Sequence, residues 1–322
     1  MDKSPSPLKP TSPLKVKITD VEPLKNIGSG TFGVVKICKH IASGQYIAMK
    51  QLNKDEVIRN KQVDHLKSEI CILASLTHHS IVQFFGFAQN EYHFNIFMEM
   101  VSGGELFHYI REKNKLNWAQ SAFFSGQIVL MFEYLHSKCV IYRDLKPENL
   151  LIGPDGYLKL TDFGFAKILL PGHKTYTLCG TPEYIAPEIL SSKGHDKGVD
   201  WWTLGVLLYE FLEGVDPFAA DSPSQIYKNI LEHRLKFSNG INSEAKSLIK
   251  RLLQADLTKR YGSLKNASQD IKDHPFFSIM NWDKLAKKKI VPFYKPQIRS
   301  GYSKFGFYNL FSNSLTILLL FF

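Results

Sequence analysis

A short polar segment in the middle of the chain carries the residue types that phosphoryl transfer needs. Residues 142–149 read Tyr-Arg-Asp-Leu-Lys-Pro-Glu-Asn, and Asp-Phe-Gly follows thirteen residues later at residues 162–164. Transfer of a γ-phosphoryl group needs a carboxylate that receives the hydroxyl proton, oxygen ligands for Mg²⁺, and cations that face the transferred charge. The residue types assign Asp144 to the first role, Asn149 and Asp162 to the second, and Lys50 and Lys146 to the third. Taken singly, Asp162 could cap a turn and Asn149 could bond loop backbone, but the ordered set favours the chemistry.

A glycine-rich segment near the N-terminus is a second candidate for phosphate binding. Residues 28–33 read Gly-Ser-Gly-Thr-Phe-Gly, a pattern that is weak evidence alone. A dinucleotide site would need a helix directly after the glycines, whereas a strand pattern follows here. The Walker-type loop with its terminal lysine is absent from the sequence. The segment therefore predicts a glycine-rich hairpin laid over triphosphate.

One lysine and one glutamate beyond this hairpin are predicted to act together. Lys50 ends an apolar strand pattern 17 residues after Gly33, and Glu69 lies on the next helix pattern. A lone strand lysine usually faces water. The spacing and the available carboxylate make Lys50 a predicted phosphate ligand that Glu69 holds in place.

Composition and charge exclude several classes of protein. The chain has 322 residues, of which 44% are hydrophobic and 22% charged, so it is neither a disordered tail nor a coiled coil. The net charge is +10, and residues 272–304 carry eight basic against two acidic side chains. A nucleic-acid-binding protein is one interpretation of this charge, but no binding motif or aromatic platform accompanies it. We therefore expect no nucleic-acid partner.

The cysteines and apolar runs bear on location. Four scattered cysteines without C-x-x-C spacing, and no apolar leader, predict a reducing compartment. We expect the cytoplasm, with the nucleus as a second location. Asp2 stands where N-myristoylation needs glycine. The apolar runs at residues 201–212 and 315–322 are shorter than the ~18 residues of a spanning helix, so no transmembrane segment is expected.

The elements that must position these residues change in type along the chain. Residues 1–23 contain five prolines and predict a flexible arm. Alternating apolar runs then predict strand, turn and strand, and Val63, Leu66, Ile70 and Leu73 form a helical stripe. After Met100 the pattern is mainly helical, with Asn117 and Gln120 as a capping pair and a buried helix over residues 199–212. The fold class is predicted to be α+β: a small antiparallel β lobe with one key helix, and a larger mainly helical lobe.

These residues resemble the signature of the eukaryotic protein kinases over residues 24–277. Residues 135–149, 177–184, 199–202 and 256–260 are similar to the catalytic subunits of cAMP-dependent protein kinase, in the AGC group. The resemblance implies a bilobal fold with a small lobe at about 24–98, a hinge at 99–101 and a large lobe at 102–277. Residues 278–322 are expected to form a tail that diverges after about residue 301. It keeps an F-x-x-Y spacing at residues 305–308 but lacks the acidic stretch and terminal F-x-x-F of the family.

The resemblance also implies contacts for each substrate. For ATP they are Gly28, Ser29, Gly30, Thr31, Phe32, Gly33, Val35, Ala48, Lys50, Met98, Glu99, Val101, Glu105, Glu148, Asn149, Leu151, Thr161 and Asp162. For a peptide they are the carboxylates Glu105, Glu148, Glu183 and Glu210, with Leu178, Pro182 and Ile185 as an apolar pocket. Carboxylates pair bidentately with guanidinium, so we expect protein substrates with arginines before the serine or threonine. Arg260 and Glu188 are expected to form a buried structural pair.

Regulation is implied by the same resemblance. Thr177 matches a regulatory phosphothreonine, and His65, Arg143 and Lys167 match its partners. Self-phosphorylation and an upstream activating kinase both remain open. A separate cAMP-binding regulatory subunit is the expected inhibitor.

Other classes remain as alternatives. One is a cGMP-dependent or other AGC-group kinase; a cGMP-dependent kinase normally carries its cyclic-nucleotide domains on the same chain. The other is a non-catalytic scaffold. A scaffold would be expected to lose Lys50, Asp144 or Asp162, and all three are present.

Overall fold

The computed structural model describes residues 16–30, 32–299 and 302–303. Its strands are β1 (Val21–Gly30), β2 (Gly33–His40), β3 (Tyr46–Asn53), β4 (Phe84–Gln89), β5 (His93–Glu99), β6 (Val140–Ile141), β7 (Leu150–Ile152), β8 (Leu158–Leu160), β9 (Lys167–Ile168), β10 (Ile298–Arg299) and β11 (Tyr302–Ser303). Its helices are α1 (Lys54–Arg59), α2 (Val63–Ser75), α3 (Leu106–Lys113), α4 (Trp118–Ser137), α5 (Pro187–Leu190), α6 (Gly198–Glu213), α7 (Pro223–Leu231), α8 (Ser243–Leu252), α9 (Gln269–Lys272) and α10 (Trp282–Ala286). Short 3₁₀ turns occur at Ile18–Asp20, Pro147–Asn149, Pro182–Tyr184 and Pro275–Phe277.

The chain divides into two compact units. The first contains the described residues up to Glu105, Leu151–Gly164, and the described residues from Lys295 onward. The second contains Leu106–Leu150 and Phe165–Tyr294. A strand-rich first unit and a mainly helical second unit agree with the α+β class that the sequence predicts.

The first unit is built on an antiparallel sheet in the order β1-β2-β3-β5-β4. Val21 at the start of β1 is 5% exposed and packs in a core with Cys38, Ile47, Met49 and Phe97. Strand β1 begins at Val21, within the arm predicted for residues 1–23, and Val16 and Ile18 before it pack against this core. Residues 1–15 lie outside the described residues, as do residues 305–308 of the predicted tail motif.

Helix α2 buries a different face from the predicted stripe. Leu66, Glu69, Ile72 and Leu73 are its buried residues, whereas Val63 and Ile70 are half-buried. Glu69 thus lies within the buried face rather than beside it. A charged group in that position needs a partner, because an unpaired buried carboxylate is costly.

In the second unit, capping residues mark the start of α4 and the end of α6. Asn117 accepts from Gln120 N and Gln120 Oε1 accepts from Asn117 N, at 2.9 and 3.0 Å, so the predicted capping pair is confirmed at the start of α4. Helix α6 is buried on nearly all sides, as predicted, and is capped after Glu213 by Gly214, which has φ of 80°. None of the helices in the described part of the chain combines the length and apolarity needed to cross a bilayer.

The predicted structural pair of the second unit is buried. Arg260 is fully buried and donates from Nη1 and Nη2 to the two carboxylate oxygens of Glu188, at 2.6 and 2.9 Å. Arg260 also donates to the carbonyl oxygens of Gly198 and Gln254. This pair ties the start of α5 to the loop after α8.

Candidate active site

The first unit contains an ionic cluster centred on Lys50. Lys50 lies on β3 and donates from Nζ to Oε1 of Glu69 at 2.7 Å. Asp162 follows β8, with φ of 54°, and its Oδ1 lies 3.4 Å from the same Nζ. The Lys50 side chain is 22% exposed and that of Asp162 is 43% exposed. Two elements distant in sequence thus bring both carboxylates to one ammonium group.

The electrostatics of this cluster keep Lys50 charged. Burial alone would lower the pKa of Lys50, but the Asp162 and Glu69 carboxylates outweigh it and raise this pKa above its ordinary value. Burial raises the pKa of Glu69, against the opposing effect of Lys50. The ammonium group is therefore a fixed positive charge, with Asp162 the more exposed of its two partners.

The glycine-rich segment forms the predicted hairpin between β1 and β2. Gly28 pairs with Val35, Ser29 with Val34 and Gly30 with Gly33. A Cβ at Gly33 would lie 1.9 Å from the Gln51 carbonyl oxygen, whereas one at Gly30 would have no neighbour closer than 3.9 Å. Gly33 is thus required by packing against β3, and the Gly30 position is open to a ligand. Thr31 lies outside the described residues.

The remaining residues predicted to contact adenine lie on or after the central strands. Ala48 pairs with Met98 across β3 and β5, and both are buried, as is Val101. Glu99 is committed to protein contacts: its N–H donates to the Gln83 carbonyl oxygen, and its Oε2 accepts from Lys159 Nζ at 2.9 Å. Val35 lies on β2, and Leu151 and Thr161 are half-buried at β7 and after β8.

The second unit contains a separate polar network around Asp144. Asn149 Nδ2 donates to the main-chain oxygen and to Oδ2 of Asp144, both at 2.8 Å. Thr181 Oγ1 donates to Asp144 Oδ1 at 3.0 Å and accepts from Lys146 Nζ at 3.0 Å. Lys146 Nζ also lies 3.3 Å from Asp144 Oδ2. Asp144 and Lys146 are both buried. The Asp144 carboxylate is thus held by the side chains of Asn149, Thr181 and Lys146.

A second buried carboxylate fixes the backbone of this loop. Asp200 on α6 is fully buried and accepts from the N–H groups of Tyr142 and Arg143 at 3.0 and 2.8 Å. Its Oδ2 also bonds Nε2 of His136 at 2.7 Å. Arg143 has φ of 71°, a strained conformation that these bonds hold. We did not predict roles for Asp200 or Thr181, although both lie within the family-like segments.

The predicted peptide-binding carboxylates fall into both units. Glu105 is buried in the first unit, and Glu148, Glu183 and Glu210 belong to the second. Glu210 is 4% exposed; it accepts from the Tyr184 hydroxyl and lies 3.6 Å from Arg111 Nη2.

Burial raises the pKa of Glu210 to about 7, against the lowering effects of Tyr184 and Arg111 and with a raising effect of Glu148. Asp216, which we did not predict, has a pKa raised by burial and by Glu183. We define the acidic face of the second unit as Glu148, Glu183, Glu210 and Asp216.

The predicted apolar pocket is mixed in exposure. Leu178 is 45% exposed, whereas Pro182 and Ile185 are buried around a 3₁₀ turn closed by the Ile185 N–H to Pro182 carbonyl bond. Of the three, Leu178 is the side chain that presents most surface.

The predicted phosphosite Thr177 is exposed in the second unit. Arg143 is buried and donates from Nε to the Phe165 carbonyl oxygen at 2.7 Å, while its Nη1 has no hydrogen-bond partner among the described residues. Lys167 Nζ donates to Thr175 Oγ1 at 2.9 Å. His65 lies in the first unit, on α2, and its Nδ1 is 2.8 Å from Gln62 Oε1.

Known proteins resemble this chain over most of its length. Residues 21–277 match the family described as protein kinase domain. The cAMP-dependent protein kinase catalytic subunit 3 of Drosophila melanogaster is 46% identical over 284 residues, 88% of this chain and 48% of the relative. The cAMP-dependent protein kinase catalytic subunit of Dictyostelium discoideum is 46% identical over 282 residues, 88% of this chain and 43% of the relative. The human catalytic subunit PRKX is 42% identical over 295 residues, 92% of this chain and 82% of the relative. The chain thus spans about half the length of the first two relatives.

Proposed function

This chain belongs to the protein kinase family, and from that premise we propose that it is a serine/threonine kinase of the cAMP-dependent type. It transfers the γ-phosphoryl group of ATP to a serine or threonine hydroxyl of a protein. The observation that carries the proposal is the network in which Asn149, Lys146 and Thr181 hold the Asp144 carboxylate.

Asp144 is the proposed proton acceptor. The hydroxyl oxygen of the substrate attacks the γ-phosphorus, the bond to the bridging oxygen breaks, and ADP leaves with that electron pair. The hydroxyl proton passes to Asp144, whose two oxygens are oriented by Thr181 and Asn149. Lys146 supplies positive charge beside the carboxylate and can stabilise the transferred phosphoryl oxygens.

Lys50 is the proposed ligand for the phosphates of ATP in the first unit. Its ammonium group stays charged because Asp162 and Glu69 raise its pKa. Glu69 fixes its position at 2.7 Å, so little rearrangement is needed when phosphate binds. The open surface at Gly30 supports phosphate approach to the hairpin.

The residues proposed for Mg²⁺ fit a hard cation. Asp162 offers a half-exposed carboxylate, and the amide nitrogen of Asn149 is committed to Asp144, which leaves its amide oxygen as the group for a metal. Oxygen ligands of this kind are those Mg²⁺ takes in proteins, together with water and phosphate oxygens. When bound, Mg²⁺ neutralises charge on the phosphates.

The acidic face supports a preference for arginine before the acceptor residue. Arg111, 51% exposed, already lies 3.6 Å from Glu210, so a guanidinium can approach this carboxylate from the surface. A substrate arginine would bring a second positive charge to four carboxylates. Leu178 supplies exposed apolar surface for the residue after the acceptor.

Regulation is proposed to act on Thr177 and on the acidic face. Arg143 Nη1, which has no hydrogen-bond partner in the part of the chain that the structure describes, supports a phosphate on Thr177 as its ligand, since a phosphate adds nearly two negative charges. Such a phosphate could come from self-phosphorylation or from an upstream kinase. A cAMP-binding regulatory subunit would inhibit by placing a basic segment on the acidic face.

One assay tests the reaction and the substrate preference together. We would measure Mg²⁺-dependent transfer of ³²P from ATP to two serine peptides, with arginines or alanines two and three residues before the acceptor. The arginine peptide should be strongly preferred, and Asp144→Asn should lose about 10²-fold or more in kcat. Equal use of both peptides would refute the substrate preference, and an active Asp144→Asn variant would refute the proton acceptor.

A further inference from the structure

We propose that the second unit carries a docking face for anionic lipid membranes. We define the lysine face as six exposed residues within residues 279–293: Ile279, Lys284, Lys287, Lys289, Val291 and Phe293. The three apolar side chains are 51%, 83% and 47% exposed. None of these residues belongs to the catalytic networks, so the proposal goes beyond phosphoryl transfer.

The segment is anchored on one side of α4. The Leu285 and Met280 side chains pack against Gly126: a Cβ at that glycine would lie 3.0 Å from Leu285 Cδ2 and 3.5 Å from Met280 Cε. The Phe293 ring packs edge-on against Phe123, with 5.6 Å between centroids. Phe123 and Gly126 are three residues apart on α4 and share a face. Residues 280–293 are therefore held to α4 at several points.

The lysines lie between these anchors on a tight turn. The Lys287 N–H donates to the Asp283 carbonyl oxygen at 3.1 Å, and the Lys289 N–H donates to the Lys284 carbonyl oxygen at 2.7 Å. Lys284, Lys287 and Lys289 are exposed. In the part of the chain that the structure describes, none of the three pairs with a carboxylate, whereas nearby Lys272 bonds Glu133 at 2.7 Å. A positive charge is thus concentrated on a rigid turn.

The combination of charge and apolar exposure favours a membrane over other anionic partners. Residues 279–293 contain four lysines and one acid, Asp283. Lysines near an anionic bilayer each strengthen binding by about fivefold, and an exposed aliphatic side chain gains by entering the interface. A nucleic-acid backbone would use the lysines but gain little from Val291. The face therefore fits phosphatidylserine-containing bilayers.

The test is cosedimentation of the full-length protein with vesicles. We would compare pure phosphatidylcholine vesicles with vesicles of one-third phosphatidylserine, at about 0.05 and 0.15 M salt. The double variant K287Q/K289Q should lower the partition coefficient roughly 25-fold, from two charges at about fivefold each. Val291→Ser should lower it about fivefold.

A matched control separates a docking face from net charge. K193Q/K197Q removes two exposed lysines from the same unit and should bind vesicles as the wild type does. All variants should phosphorylate a soluble peptide at the wild-type rate, which also shows that they are folded.

Three results would overturn the proposal. The first is absence of binding to the phosphatidylserine vesicles at low salt. The second is an equal loss in the control variant, or loss only on truncation after residue 303, which would locate the binding elsewhere. The third is duplex nucleic acid bound more tightly than vesicles, through the same lysines but independently of Val291.

Discussion

The ionisation of Glu210 should make recognition of arginine substrates depend on pH near neutrality. Glu210 is 4% exposed, and burial raises its pKa to about 7 although Tyr184 and Arg111 lower it. A neutral carboxyl cannot form an ion pair with guanidinium. The affinity of the acidic face for a basic peptide should therefore rise as Glu210 loses its proton.

The size of this effect follows from the pKa. With a pKa of about 7, Glu210 is roughly one-tenth ionised at about pH 6 and roughly nine-tenths ionised at about pH 8. If the arginine peptide binds only the ionised form, its KM should fall about tenfold over this interval.

Stability should respond in the opposite sense. The pKa of Glu210 is higher in the folded chain than its ordinary value of 4.5, so protonation stabilises the fold. That contribution is fully present below about pH 4.5 and is lost as the pH rises through about 7. Its size is about 3 kcal/mol, because a tenfold change in a proton-binding constant corresponds to about 1.36 kcal/mol.

The assay compares KM for the arginine and alanine peptides from about pH 6 to about pH 8. Glu210→Gln keeps an acceptor for the Tyr184 hydroxyl and should abolish the pH dependence of the KM ratio. Glu183→Gln is the matched control. It removes a carboxylate from the same face and should raise KM for the arginine peptide, while the pH dependence of the KM ratio remains.

The KM ratio between the two peptides isolates Glu210 from other titrating groups. A ratio that stays constant over this pH range in the wild type would refute the reasoning. So would a Glu210→Gln variant that retains the wild-type slope, because the titrating group would then lie elsewhere.

Three further changes test the packing and the Asp144 network. Glu188→Gln leaves the Arg260 charge buried without its carboxylate, so unfolding free energy in urea should fall by about 3 to 5 kcal/mol; replacing both members with apolar side chains, Glu188→Leu with Arg260→Met, should recover much of that loss. Thr181→Val removes two hydrogen bonds to charged groups, at about 1.5 to 3 kcal/mol each. It should lower kcat by about 10- to 100-fold and leave KM for ATP unchanged. Thr181→Ser keeps the hydroxyl and should restore activity. Gly33→Ala places a Cβ 1.9 Å from the Gln51 carbonyl and should lower the melting temperature, while Gly30→Ala, with 3.9 Å of clearance, should leave it unchanged.

Each of these predictions has a contrary result. A loss below about 1 kcal/mol in Glu188→Gln would mean that the Arg260 charge finds other compensation. Full activity in Thr181→Val would remove Thr181 from the positioning of Asp144. Equal melting temperatures for the two glycine variants would show that β3 can shift at Gln51.

The sequence by itself predicted the local features of this protein. The roles proposed for Asp144, Lys146 and Asn149 come from one contiguous segment, and the β1–β2 hairpin and the Asn117 cap follow from neighbouring residues. Such features depend on turn chemistry and short-range periodicity, which adjacent residues encode. The stripe predicted for α2 did not include Glu69, which lies within the buried face, because packing decided which face of the helix is covered.

Only the tertiary structure showed which distant residues complete the networks. Thr181 bonds Asp144 from 37 residues further along the chain, and Asp200 bonds the N–H of Arg143 from 57 residues further along. Asp216 joins the acidic face without any motif that marks it. Hydrogen bonds and desolvation act over a few ångströms in space, and no periodicity along the chain records which separated segments will meet. The residue types therefore indicated the chemistry, whereas folding decided the partners and the electrostatic environment in which that chemistry works.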